Sequence, residues 1–488
     1  MANPIYQTVI VGGGFAGLFT ALHLSHQHYS RTIVLIDQHD RFCFKPLLYE
    51  YLSGEMNANQ VVPSYAELLH RSGVIFIQDT VQTIDLHQRQ IQLVSGDSYG
   101  YSNLVLTLGS VTGYFGVEGA QEYAFSFRTQ ADAIALARHL RDCLQRAIQL
   151  NDREQRRQLL TLAVIGGGPS GVEMAATLAD LMPQWYIEMG GDQSEVRVVL
   201  VNHGKLLEGD INSQLHETVE KELQARTVPV ELLLGVEVTS IHPNMVEYKR
   251  GDQTSNLTVG TAIWTTGTNT HPLIKSLAIP DEHRDQHGQL KVTPTLQLLD
   301  FPEVFAGGDC TVNLQPSGDT QSNTQEKADA QKSEAKPLPS TAQVAYQQGY
   351  AIAYNLQALA LGDELKTAQV DLRGTLLKLG LENGVANIFN SVELTGEIGH
   401  LIRQGTYLEL LPTPVHDFKA TSKWLRDEIF AQKSPKSMLK NIALGLFLVV
   451  VGFVGISFLI SHSSKDQKQL KSSPSQTSNL QKMLISKK

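Results

Sequence analysis

The sequence predicts an α/β protein with two Rossmann-like dinucleotide-binding domains, a small α+β C-terminal domain and a C-terminal transmembrane helix. Three observations carry that expectation. Two glycine-rich loops each follow an apolar, β-branched run: Val9-Ile-Val-Gly12-Gly-Gly14-Phe-Ala-Gly17 and Leu162-Ala-Val-Ile-Gly166-Gly-Gly168-Pro-Ser-Gly171. At 488 residues the chain exceeds one ordinary domain and can build two or three cores. Residues 442–460 carry no charge and approach the ~20 residues that a membrane-spanning helix needs.

The elements follow in order. Residues 8–11 and 32–36 suit buried parallel strands, and 16–25 between them read as a helix. This is the βαβ unit that a dinucleotide fingerprint requires. Residues 74–78, 91–93 and 104–108 continue the strand series. Residues 131–150 read as one amphipathic helix with Ile134, Ala137, Leu140, Leu144 and Ile148 on its apolar face. The second unit repeats the pattern: strand 162–165, helix 172–181, strand 197–201. A further strand, 304–306, runs into Gly307-Gly-Asp309, and a helix begins near Ser340. Residues 313–338 are nearly devoid of apolar side chains and read as a disordered surface insertion. Residues 417–430 are amphipathic and suit a bilayer surface.

Composition narrows the function classes. The net charge of −9 argues against a nucleic-acid surface, which needs clustered Lys and Arg. Cys43, Cys143 and Cys310 form no Cys-x-x-Cys pair, so a disulfide scaffold is excluded and a reducing compartment is expected. No metal site is expected. For residues 442–460 the competing reading is a buried core helix; the polar tail that follows favours a membrane span. Lys436 and Lys440 before the span balance Lys465 and Lys468 after it. Orientation therefore rests on the lack of a secretory signal, which keeps the catalytic part facing the cytoplasm.

The first fingerprint pairs Gly12, Gly14 and Gly17 with Asp37, 20 residues past Gly17. Such glycines let backbone approach a pyrophosphate at a helix N-terminus, and the acid binds ribose hydroxyls. The second repeats the spacing with Gly166, Gly168 and Gly171, but Asn202 stands where an acid is expected, followed by His203 and Lys205. That either admits the 2′-phosphate of NADPH or leaves Asn202 to bond the ribose of NADH. Glu173 lies in the first turn of the following helix, where it either complements the helix dipole or reaches a nicotinamide amide. Gly109 and Gly267 each end a strand beside a hydroxyl residue. Asp309 suits the hydroxyls of a flavin's ribityl chain. Gln343 and Gln347, at i and i+4, share a helix face.

On these residues, with Arg41-Phe-Cys-Phe-Lys45-Pro-Leu-Leu-Tyr-Glu50, Gly396-Glu-Ile-Gly-His400 and Ala342-Gln-Val-Ala-Tyr-Gln347, the chain resembles the type II NAD(P)H:quinone oxidoreductases, and more closely their cyanobacterial and plastid branch. The resemblance implies FAD in the first site and NADH or NADPH in the second. It places Lys45 and Val81 near FAD, and Gln343 and Gln347 between flavin and quinone. Glu173, Gln343 and Gln347 are the catalytic candidates. Residues 1–125 and 276–360 would form the FAD domain, 126–275 the NAD(P)H domain, 361–433 a membrane-associating domain, and 461–488 a polar tail. The expected partners are a membrane quinone of plastoquinone or demethylphylloquinone type, the lipid bilayer and a second copy in a homodimer. Rival readings are a sulfide:quinone reductase-like flavoprotein and a membrane-tethered redox sensor.

Overall fold

Two apolar βαβ units, each closed by a glycine turn, build two parallel five-stranded sheets of matching order in this computed structural model, which describes residues 7–208, 213–312, 338–372, 374–388 and 392–412. The first sheet runs Val304–Ala306, Asn103–Leu106, Gln7–Val11, Thr32–Asp37, Ile75–Gln78. The second runs Ala124–Ser126, Thr261–Trp264, Thr161–Ile165, Arg197–Asn202, Glu231–Leu234. Register matches too: Val9 pairs with Val34 and Leu104, as Ala163 does with Val199 and Ala262. Both sheets are buried on two faces, which explains their unbroken apolar runs.

The second unit is inserted into the first, between strands Asn103–Leu106 and Val304–Ala306. The two crossings, Ser110–Thr112 and Thr268–Thr270, pair antiparallel as a short ribbon. Each unit also carries a three-stranded antiparallel sheet: Val81–Asp85 to Ser98–Gly100 lies in the chain between strands Ile75–Gln78 and Asn103–Leu106, and Glu237–His242 to Gln253–Thr258 between Glu231–Leu234 and Thr261–Trp264. Residues 91–93 belong to the first of these and not to the parallel series expected for them. Their alternation, with Ile91 and Leu93 buried and Gln90 and Gln92 exposed, is that of a sheet wet on one face.

The helix expected at 131–150 spans Gln130–Gln149, capped by Thr129 and Asp132. Its buried face is shifted from the expected one, keeping Leu140 and Leu144 inward and turning the two isoleucines out. Ala133, Leu136, Leu140, Cys143, Leu144 and Ala147 are buried, while Ile134 and Ile148 are exposed. The buried stripe combines Leu136, Leu140 and Leu144 with the small residues Ala133, Cys143 and Ala147. The helix Pro169–Glu188 runs longer than expected, through Pro183.

Residues 374–411 form the expected mixed domain: strands Gly374–Lys378, Gly384–Ile388 and Val392–Thr395, then helix Gly396–Glu409. Glycine is required where helix meets strand. A Cβ on Gly399 would lie 2.3 Å from the Gly384 carbonyl oxygen. Among the described residues no helix is long and apolar enough to cross a membrane. The insertion at 313–337, the amphipathic stretch 417–430 and the apolar stretch 442–460 lie outside the described residues.

The helix face gives a direct test. Leu140→Ala should cost about 2–5 kcal/mol in urea unfolding, and Ile134→Ala under about 1 kcal/mol. Equal costs would show that the wrong face has been placed inward.

Candidate active site

The two glycine loops are equivalent bond for bond. The Gly12 N–H donates to Ile36 O at 2.9 Å, and the Gly166 N–H to Val201 O at 2.8 Å. Thr107 Oγ1 donates to Val11 O and Gly12 O; Thr265 Oγ1 donates to Ile165 O and Gly166 O. The first and third glycines of each loop are dictated by the protein itself. A Cβ on Gly17 would lie 1.9 Å from Gly12 O, and one on Gly171 1.7 Å from Gly166 O. Gly12 and Gly166 also adopt φ of +99° and +118°.

The middle glycines differ. A Cβ on Gly14 or Gly168 would meet nothing within 4 Å. Each caps the N-terminus of a long helix, Phe15–His26 or Pro169–Glu188. Each helix N-terminus thus presents its backbone donors beside a glycine with open space around it, an arrangement that suits a diphosphate.

Asp37 and Asn202 are also equivalent. Asp37 Oδ2 accepts from the Gly13 N–H at 2.6 Å, and Asn202 Oδ1 from the Gly167 N–H at 2.9 Å. Asn202 Nδ2 donates to Lys205 O at 2.9 Å. His203 and Lys205 are exposed beside it. Val81 opens the strand Val81–Asp85 two residues after Asp79, whose N–H donates to Asp37 O.

A charged cluster lines the far end of the first site. Asp309 Oδ2 accepts from Ser110 Oγ at 2.9 Å, and Arg128 Nη2 donates to Ser110 O and Oγ. Crowding by protein atoms and the Arg128 charge lower the Lys45 pKa, against Asp309, although part of Lys45 stays open to solvent. Helix Ala342–Leu361 lies alongside. The Gly308 N–H donates to Gln348 Oε1 at 2.7 Å, and Ala345 packs close by. Gln343 and Gln347 share a face as expected, but that face turns to Asp371. Gln343 Nε2 donates to Asp371 O at 3.0 Å, while Gln347 holds Asp371 at both its N–H and its carbonyl.

Glu173 sits in a buried ionic network that the sequence did not reveal. Its Oε1 accepts from the Lys378 backbone N–H at 2.8 Å and lies 3.3 Å from Arg403 Nη2. Arg403 also pairs with fully buried Glu50 and donates to Pro46 O at 2.6 Å. Lys378 Nζ donates to Glu55 Oε2 at 2.6 Å, and His400 lies beside Glu55. Burial opposes ionisation of Glu50, but Arg403, Lys378 and His400 outweigh it and hold its pKa below the usual range. For Glu173 burial wins: its pKa rises to about 7, against Arg403 and the Lys378 N–H and with Glu50 adding to the rise. Lys378 was detectable in principle as a charge inside the apolar run Leu376-Leu377-Lys378-Leu379. Arg403 and Arg128 gave no local signal.

The cysteines are free thiols. Burial pushes Cys43 up to about 11 and Cys310 up to about 12.

The sequence pattern of the pyridine nucleotide-disulphide oxidoreductases matches residues 6–349. Demethylphylloquinone reductase NdbB of Synechocystis is 32% identical over 424 residues, 85% of this chain and 95% of its own. The chain belongs to the type II NAD(P)H:quinone oxidoreductases. FAD and NAD(P)H are accordingly its cofactors. The chloroplastic/mitochondrial alternative NAD(P)H-ubiquinone oxidoreductase C1 of Arabidopsis thaliana is 30% identical over 476 residues, 91% of this chain and 83% of its own. Among solved structures, NDH2 of Plasmodium falciparum with NADH superposes with a TM-score of 0.76 at 19% identity, over 87% of this chain and 98% of that one, and shares the fold.

The Glu173 shift fixes a pH signature. Its ordinary pKa of 4.5 becomes about 7 in the fold, so the folded state keeps a proton that the unfolded chain releases. The stability this gives is present below the unfolded value and is lost as pH rises through the folded one. Wild type should lose on the order of 2 kcal/mol more than Glu173→Gln between about pH 5 and pH 8, read from urea midpoints. Parallel pH curves would contradict the shift.

Proposed function

We propose that the protein oxidises NAD(P)H through FAD and delivers two electrons to a membrane quinone of plastoquinone or demethylphylloquinone type. The observation that carries this reading is the pair of equivalent, open helix-terminal cradles on one chain. Bound FAD supplies a centre that takes a hydride and gives up electrons. The chain's residues then have defined tasks.

Gly12, Gly14, Gly17, Asp37, Lys45, Val81, Gly109 and Asp309 hold FAD, and Gly166, Gly168, Gly171, Asn202 and Gly267 hold NAD(P)H. Lys45 and Arg128 offer positive charge where the reduced flavin becomes negative. Glu173, with a pKa near neutrality, is suited to hold and release a proton beside the nicotinamide. The overall conversion of NAD(P)H and quinone into NAD(P)+ and quinol takes up one proton from solution, and Glu173 is the group that relays it. Gln343 and Gln347 form the quinone side, with the Asp371 backbone as their present partner. The neutral Asn202 carries no charge to repel a 2′-phosphate, so NADPH serves as well as NADH.

The apolar stretch 442–460 anchors the chain to the bilayer, with the catalytic part on the cytoplasmic side. A single span offers no proton channel, so turnover is not coupled to pumping. The name of the cyanobacterial relative supports demethylphylloquinone as an acceptor class. Sulfide chemistry fits less well: a nucleophilic thiolate is needed, and burial keeps Cys43 and Cys310 protonated at neutral pH.

Purified, FAD-loaded protein in lipid should oxidise NADH and NADPH only when quinone is supplied. Slow turnover with every quinone would favour a redox sensor and contradict the proposal. Asn202→Asp should raise KM for NADPH about tenfold or more and leave KM for NADH within about threefold, because a carboxylate there opposes the 2′-phosphate. Equal effects on both donors would contradict the assignment.

A further inference from the structure

Besides Asn202 in place of Asp37, the two cradles differ at the turn that follows the strand beside the central one. Gly109 and Gly267 are equivalent: each ends the strand beside the central one, at the point where strand order reverses. That crevice is where an α/β sheet takes its ligand. A Cβ on Gly109 would meet nothing within 4 Å. A Cβ on Gly267 would lie 2.2 Å from Phe115 Cε2, because the Phe115 ring rests on the Gly267 backbone.

Phe115 is placed there at a cost. It is 71% exposed, more than any other large hydrophobic among the described residues. Its φ of +49° lies in the left-handed region that a bulky L-residue avoids. Neighbouring bonds hold it in that state. The Gly113 N–H donates to Gly267 O at 3.2 Å, and Trp264 Nε1 donates to Gly113 O at 2.9 Å. The Tyr114 ring packs on Trp264 at 5.8 Å. Thr112 pairs with Thr268 across the ribbon joining the domains. The loop is therefore fastened to the end of strand Thr261–Trp264, and its one free feature is the exposed ring. On the other side of Gly267, Thr266 and Thr265 abut Gly166. Ring, turn and phosphate-binding glycine loop are contiguous.

We infer that Phe115 is a positioning residue of the second cradle, its ring closing over a nicotinamide dinucleotide bound there. The inference rests on the assignment of that cradle to NAD(P)H. An aromatic face left in water gains by covering a ribose or a nicotinamide ring, and its fixed loop spares the ligand the work of ordering it. The asymmetry between the cradles also has a reason. FAD stays through many turnovers and is held by its own loop. NAD(P)H must enter and leave each cycle, and a single ring at the edge of the crevice gives grip without enclosure.

The test compares FAD-loaded wild type with Phe115→Ala, Phe115→Leu and Phe115→Tyr. Dissociation constants for NAD+ and NADP+ are measured by equilibrium dialysis, and KM and kcat with saturating quinone. Phe115→Ala and Phe115→Leu should weaken binding and raise KM about tenfold, with kcat within about twofold and FAD content unchanged. Phe115→Tyr, which keeps the aromatic face, should stay near wild type. Tight binding by wild type with dissociation constants within twofold in all variants would overturn the role of Phe115 alone. Loss of FAD or of thermal stability in Phe115→Leu, with binding per folded molecule unchanged, would show a structural role and overturn it as well. Failure of wild type to bind either dinucleotide would overturn the NAD(P)H assignment and this inference with it.

Discussion

The pairing of Glu50 with Arg403, both fully buried, is the interaction on which the arrangement of the site depends. Two charges sealed from water are tolerable only when they meet each other and fill their remaining hydrogen bonds. Arg403 goes part of the way by reaching Pro46 O and Glu173 as well, with its guanidinium over the Tyr407 ring, while its Nε and Glu50 Oε2 are buried without a hydrogen-bond partner. Glu50 belongs to a short helix beside the first cradle, Glu173 to the helix that opens the second, and Arg403 to the C-terminal domain. One cation thereby ties together three parts of the chain that share no strand. Lys378 repeats the theme from a β-strand, donating its backbone N–H to Glu173 and its ammonium to Glu55. The C-terminal domain therefore enters the electrostatics around Glu173. It sets how strongly Glu173 holds its proton, because burial raises that pKa and Arg403 restrains the rise.

Around this keystone the two dinucleotide units behave as variations on one design. The same sheet order, a threonine locking the same turn and a side-chain oxygen accepting from the middle of the loop appear in both. The departures are Asn202 in place of an acid, and an aromatic ring over Gly267 where a Cβ on Gly109 would meet nothing. The first unit is braced by a charged cluster, Lys45, Arg128 and Asp309, suited to a resident cofactor. The second is tied at its helix to the buried Glu173–Arg403 network.

The legible parts of the fold were those fixed by short-range geometry. A glycine turn between a β-branched run and a helix declares itself because backbone approach at Gly12, Gly17, Gly166 and Gly171 leaves no alternative residue. The long-range contacts were not legible. Glu50 and Arg403 are 353 residues apart, and no local pattern reports that a helix near the C-terminus will deliver a guanidinium to the first cradle. The helix Gln130–Gln149 shows a subtler failure. Its two isoleucines attract an apolar reading, yet the small residues Ala133, Cys143 and Ala147 lie in the interior. Gln343 and Gln347 were correctly read as one face, but their engagement with Asp371 depends on a segment more than 20 residues downstream.

The central claim, that a buried ion pair joins the C-terminal domain to both cradles, is tested most directly by hydrogen exchange on the FAD-loaded protein. Wild type is compared with Arg403→Met, which removes the charge and keeps much of the volume. Removing one partner of a buried pair typically costs about 3–5 kcal/mol. That loss should appear as faster exchange in three separate places: the helix Leu48–Ser53, the first turns of Pro169–Glu188, and the strands Gly374–Lys378 and Gly384–Ile388. Faster exchange confined to the helix that carries residue 403, with the other two elements unchanged, would contradict the account.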